Sequence, residues 1–93
     1  MSTRTVTKTV ESVRTHDHAR IKHWVENRGG TPSVVDGTWD GKKGELRIDF
    51  GETEEILSEI TWDDFFGMFE EGNLDLIYQK NSDSSEYKFD ERE

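Results

Sequence analysis

The 93-residue chain has no cysteine, a single proline and only twenty residues of the Val, Ile, Leu and Phe types. Without cysteine there is no disulfide framework, no thiolate metal site and no cysteine nucleophile. No apolar run approaches the roughly 20 residues of a membrane span, and no segment has the charge and apolar pattern of a signal peptide. The expectation is a soluble, cytoplasmic, single-domain protein without membrane attachment. A chain of this length buries only about 60% of its unfolded surface. Aromatic side chains must therefore supply much of the core, and the sequence has five Phe, three Trp and two Tyr for it.

Basic charge is the other scarcity. Residues 1–31 carry six Lys/Arg against three acids, whereas residues 32–93 carry six against eighteen, for a net charge of −9. Such a field repels phosphate backbones and attracts basic proteins. Direct nucleic-acid binding is disfavoured, because Arg4, Lys8 and Arg14 are diluted by threonine and form no basic run. A protein partner is favoured, and a monomer is the default.

Residues 1–15 hold Val6, Val10 and Val13 as their only apolar side chains after Met1, so they read as a flexible tail, although the alternation around Val6, Lys8 and Val10 would suit a strand at an available edge. The domain is expected over 16–90, with a charged end at 91–93. A helix is predicted from Asp17 to Arg28 on the Ile21, Trp24, Val25 stripe, capped by Thr15 or Asp17 and stopped by Gly29-Gly30. Ser33–Trp39 reads as a strand with a bulge at Asp36-Gly37, and Asp40–Gly44 as a hairpin loop. Leu46, Ile48 and Phe50 alternate with Glu45, Arg47 and Asp49, which predicts a strand covered on one face. Gly51–Ser58 reads as an acidic connector in which Ile56, Leu57 and Ile60 could anchor a turn of helix.

Thr61 and Asp64 have capping-box spacing, Ile60 and Phe65 the spacing of a hydrophobic staple, and Trp62, Phe65, Phe66 and Phe69 form the expected buried stripe of a helix over 60–72. Leu74–Gln79 and Tyr87–Phe89 are further strands. The order helix-strand-strand-helix-strand-strand predicts an α+β two-layer sandwich, one antiparallel sheet with both helices on one face. Its core would hold Ile21, Trp24, Val25, Leu46, Ile48, Phe50, Phe66, Phe69, Leu74 and Leu76. Glu45, Arg47, Asp49, Asp75 and Gln79 would lie on the outer face.

His16-Asp17-His18, Trp24 through Pro32, Leu46 through Phe50, Ile60 through Phe66 and Leu76 through Gln79 together resemble a family of short bacterial proteins of unknown function, often labelled 1,4-alpha-glucan branching protein. The resemblance covers residues 16–90. It implies the domain limits and no catalytic residues, because a branching enzyme's carboxylates sit on a large barrel for which this chain has no room. The Pro that such sequences often carry after the Asp-Phe pair is missing after Phe50.

No nucleophile elbow, phosphate loop or dinucleotide fingerprint occurs, and the stretch from Asp36 to Gly41, with carboxylates at Asp36 and Asp40, lacks the length and terminal Glu of an EF-hand loop. His16, His18 and His23 do not share a helical face at ligand spacing, so no metal or other cofactor is expected. The candidate binding residues are Trp39, at the mouth of the Gly-rich loop, and Lys42, Lys43 and Arg47, a basic cluster within the acidic half. Trp39 reads either as a stacking platform or as a cap on the core. The expectation is a non-enzymatic acidic binding or regulatory module that contacts another protein. A glycan-binding or glycan-metabolism accessory and an acidic nucleic-acid mimic are the alternatives.

Overall fold

The structure, a computed structural model, describes residues 12–80 and 84–93. Along the chain these form β1 (Ser12–Thr15), α1 (His18–Asn27), β2 (Thr31–Val35), β3 (Leu46–Asp49), β4 (Leu57–Glu59), α2 (Trp62–Glu71), β5 (Leu74–Gln79) and β6 (Tyr87–Glu91). The class is α+β, with two helices and two three-stranded antiparallel sheets, β1-β5-β6 and β3-β2-β4. The single sheet expected from the sequence is thus corrected to two. Each hairpin takes a third strand at its far side, β1 against β5 and β4 against β2, and these are the two strands with the fewest apolar residues.

Both helices begin where the sequence placed them. The Asp17 carboxylate accepts from the Arg20 amide at 3.1 Å, and the Thr61 hydroxyl accepts from the Asp64 amide at 3.1 Å. α1 ends as the Gly30 amide turns back to the Val25 carbonyl at 2.9 Å through Gly29 at φ +71°. Gly30 is also a close approach, since a Cβ there would lie 2.6 Å from a Phe50 ring carbon. The strand expected over Ser33–Trp39 stops at Val35. Asp36-Gly37 is a turn rather than a bulge, Gly37 has φ +87°, and the Thr38 amide donates to the Val35 carbonyl at 3.0 Å.

α2 packs on β5 of one sheet and on β2 and β3 of the other, so its apolar stripe joins the two. Phe65 and Phe69 are fully buried, while Trp62 and Phe66 are only half-buried, which moves the centre of the core from the expected Phe66 to Phe65. Trp24 of α1 meets Tyr78 at 4.6 Å and Phe50 at 5.5 Å between ring centroids, a second bridge between sheets. The Tyr87 hydroxyl is a third: it accepts from the Ile48 amide at 2.9 Å, and the Arg47 Nη1 donates to the Leu46 carbonyl at 2.9 Å beside it. No helix among the described residues is long and apolar enough to cross a membrane.

Ser12–Thr15 is a strand and not part of a tail, so the domain reaches at least to Ser12; the Val6–Val10 alternation lies outside the described residues. Charge holds this strand in addition to its ladder with β5 and the packing of Val13 on the core. Arg14 donates to Asp75 at 2.9 Å and to Asp90 at 2.7 Å, and His16 Nδ1 lies 3.0 Å from the other Asp75 oxygen. Asp75 is 5% exposed, a correction to its expected place on an open face. Burial alone pushes its carboxyl up, but the bonds from Arg14 and His16 outweigh burial and hold it below the ordinary range.

Arg92 and His18 both reach Glu70 Oε2 at 2.7 Å, Arg92 having the larger effect, and they lower that carboxyl from 4.5 to about 2. Because the folded value is the lower one, the stabilisation is complete above the unfolded value and is lost as pH falls through the folded one. Acid titration followed by circular dichroism should therefore show stability falling between about 4.5 and about 2. Arg92→Ala should make that fall shallower; an unchanged slope would mean that the Arg92 bond does not carry the link between Glu70 and folding.

Candidate functional site

The four residues singled out by sequence do not converge. Trp39 is half-buried in the loop after β2 and packs on the core, its ring over Gly44, where an added Cβ would come within 3.3 Å of it. Lys42 and Lys43 have exposed side chains, but both amides donate to Asp40 Oδ1, at 2.9 and 2.7 Å. These two bonds, the Lys43 one first, hold the Asp40 carboxyl below its usual range. Arg47 is engaged by its neighbours: its Nε and Nη2 fork onto Glu55 at 2.9 and 3.1 Å, and Nη1 takes the Leu46 carbonyl. Arg47 is thus a guanidinium held by Glu55 and the Leu46 carbonyl, and Lys42 and Lys43 are surface lysines of the Asp40 turn.

Two clefts divide the candidates. Arg47 lines a groove of about 640 Å³ between the sheets, floored by Ile48, Phe50, Tyr78 and Tyr87. Of its three acids, Glu52, Glu55 and Glu86, the first two already accept bonds, from Ser85 at 2.7 Å and from Arg47. Trp39 lines a separate cleft of about 680 Å³ together with Trp62, Pro32 and Ile60. The charged residues around that cleft, among those described, are Glu26, Glu59 and Asp64, with no cation. Glu59 and Asp64 are exposed and form no ion pair among the described residues.

Trp62 is the site residue that sequence reasoning assigned to the core. It occupies the first helical position of α2, beside Asp63 and Asp64, and a first-turn side chain lies at the rim of a buried stripe rather than over its middle. That offset was the available signal. Its indole is held on two sides: Nε1 donates to Glu26 Oε2 at 3.3 Å, and the ring stacks on Phe66 at 5.2 Å and 20°. Phe66 in turn stacks on His18 at 4.0 Å and 4°. The stack is pinned reciprocally, His18 of α1 to Glu70 of α2 and Trp62 of α2 to Glu26 of α1, which sets the helices antiparallel. The two clamps are eight residues apart on each helix, about 12 Å along the axis. The cleft wall formed by Trp62 is thus fixed before any ligand arrives.

The arrangement offers aromatic faces with a carboxylate rim. Such a surface stacks a planar or alkyl group and attracts positive charge. Among the described residues no group of three or more His, Asp or Glu side chains could hold a metal ion; His16 and His18 face Asp75 and Glu70, and His23 lies 3.0 Å from the Asn27 amide nitrogen. Comparison with protein-family models, with curated proteins and with solved structures finds nothing that matches this chain.

Proposed function

We propose that the chain is a non-enzymatic acidic binding module that contacts another protein through the cleft between Trp39 and Trp62. The observation that carries this reading is the cleft's lining: two half-buried indoles and three carboxylates, with no cation among the described residues, in a chain of net charge −9. An apolar floor with a charged rim of one sign suits a protein partner of opposite charge, because the indoles supply contact area and the rim supplies steering.

Affinity capture at low salt with the wild type and with a Glu59→Gln/Asp64→Asn variant tests it. A partner protein retained by the wild type should be lost from the variant, and should elute as ionic strength rises and the Debye length falls to about 3 Å near 1 M salt. Equal retention by both proteins would remove the cleft from the interaction. The two indoles that line the cleft also favour a second reading, a glycan-binding accessory. In that case an oligosaccharide such as maltotriose would protect both tryptophans from oxidation, and salt would have little effect, since stacking on a sugar ring involves no net charge.

A further inference from the structure

We infer that the cleft receives a single arginine side chain of the partner, with the guanidinium against the indoles of Trp39 and Trp62 and its N–H groups on Glu59 and Asp64. This rests on the reading of the cleft as a protein-binding site and names the group that enters it.

A compact ammonium could answer the charge, but the aromatic walls favour a flat, weakly hydrated cation that stacks as well as donates. Trp62 is held in place by Glu26 and Phe66, so the stacking surface needs no rearrangement on binding. Glu26 already accepts the indole Nε1–H, which leaves the exposed Glu59 and Asp64 as the carboxylates available to a fork of donors. The protein makes both halves of this contact elsewhere with its own arginines. The Arg28 guanidinium lies 4.8 Å from the Trp24 ring centroid, and Arg47 forks onto Glu55. In the cleft, the aromatic face and the carboxylates occur together without an internal arginine among the described lining residues.

The test is titration of the ¹⁵N-labelled full chain with a neutral-flanked peptide bearing one arginine, and with matched peptides bearing lysine or citrulline in its place. The indole Nε1–H signals report three tryptophans separately, and Trp24, 6% exposed, serves as the internal control. The Trp39 and Trp62 signals should move with the arginine peptide while Trp24 stays still. Citrulline, which keeps the shape and loses the charge, should bind at least about fivefold more weakly, and lysine should fall between. Glu59→Gln/Asp64→Asn should weaken the arginine peptide and lower the melting temperature by no more than a few degrees, since both carboxylates are exposed and Asp64 loses only its charge at the α2 N-terminus. Unmoved Trp39 and Trp62 signals, or equal affinity for citrulline, would overturn the assignment. If a partner protein were still captured through the cleft, the binding-module reading would stand and only the arginine would fall. If the cleft variant captured as well as the wild type, the reading itself would fail.

Discussion

Phe65→Ala should cost about 3–5 kcal/mol and leave the domain largely unfolded at room temperature, because it removes a large ring from a site with 0% exposure and leaves a cavity that a small core cannot close. Phe65 sits edge-on to Trp62 at 5.1 Å and to Phe66 at 5.3 Å, and lies 6.0 Å from Phe89 of the β5–β6 hairpin. Its loss therefore loosens α2 from one sheet and from its own aromatic neighbours together. Phe66→Ala, one residue on, should cost only about 1–2 kcal/mol, because Phe66 is half-buried and its main loss is stacking with His18 and Trp62. Urea unfolding of the two variants separates the cases. A larger loss at Phe66 than at Phe65 would mean that α2 is rotated about its axis from the arrangement described above.

The second large effect should come from a charge. Arg14→Ala should lower the thermal midpoint by more than about 5 °C, well beyond an ordinary surface substitution. The reason is the group left behind: Asp75, 5% exposed, would keep His16 and a distant Arg92 at 3.6 Å, but would lose the guanidinium that also ties it to Asp90. Asp75→Asn combined with Arg14→Ala should recover part of the loss, since the buried charge that Arg14 answered is then gone. An additive double variant would show that the two side chains do not act on each other.

The parts of this fold that the sequence discloses are those whose causes are local. Asp17 and Thr61 cap helices within three residues of themselves, Leu46 and Ile48 alternate within one strand, and the Leu74–Gln79 strand is bounded as its pattern suggests. The parts it hides depend on partners far away. β1 reads as a tail because its own apolar content is poor, and what it pairs with is β5, whose Asp75 lies 61 positions beyond Arg14. β4 reads as a connector because three residues carry too little pattern to outweigh the acids Glu52, Glu54 and Glu55 ahead of them, and its ladder to β2 is invisible from within the segment. The site divides in the same way. Trp39 is visible as an aromatic at the mouth of a loop. Trp62 disappears into a helical stripe, and Arg47 looks free because Glu55 reaches it across a turn of chain that sequence spacing does not describe.

The Tyr87 hydroxyl on Ile48 and the Arg47 guanidinium on the neighbouring Leu46 carbonyl also guard an edge. β3 is the outer strand of its sheet, and an outer strand exposes a row of unpaired amides and carbonyls that another chain can copy. Here the Ile48 amide and the Leu46 carbonyl are already occupied by side chains, so an incoming strand would have to displace a phenol and a guanidinium before its first two ladder bonds could form. The same contact that couples the two sheets of one molecule therefore resists the growth of a sheet across many, and a chain with so small a core is protected at this edge from fibril-like stacking by side-chain chemistry rather than by added length.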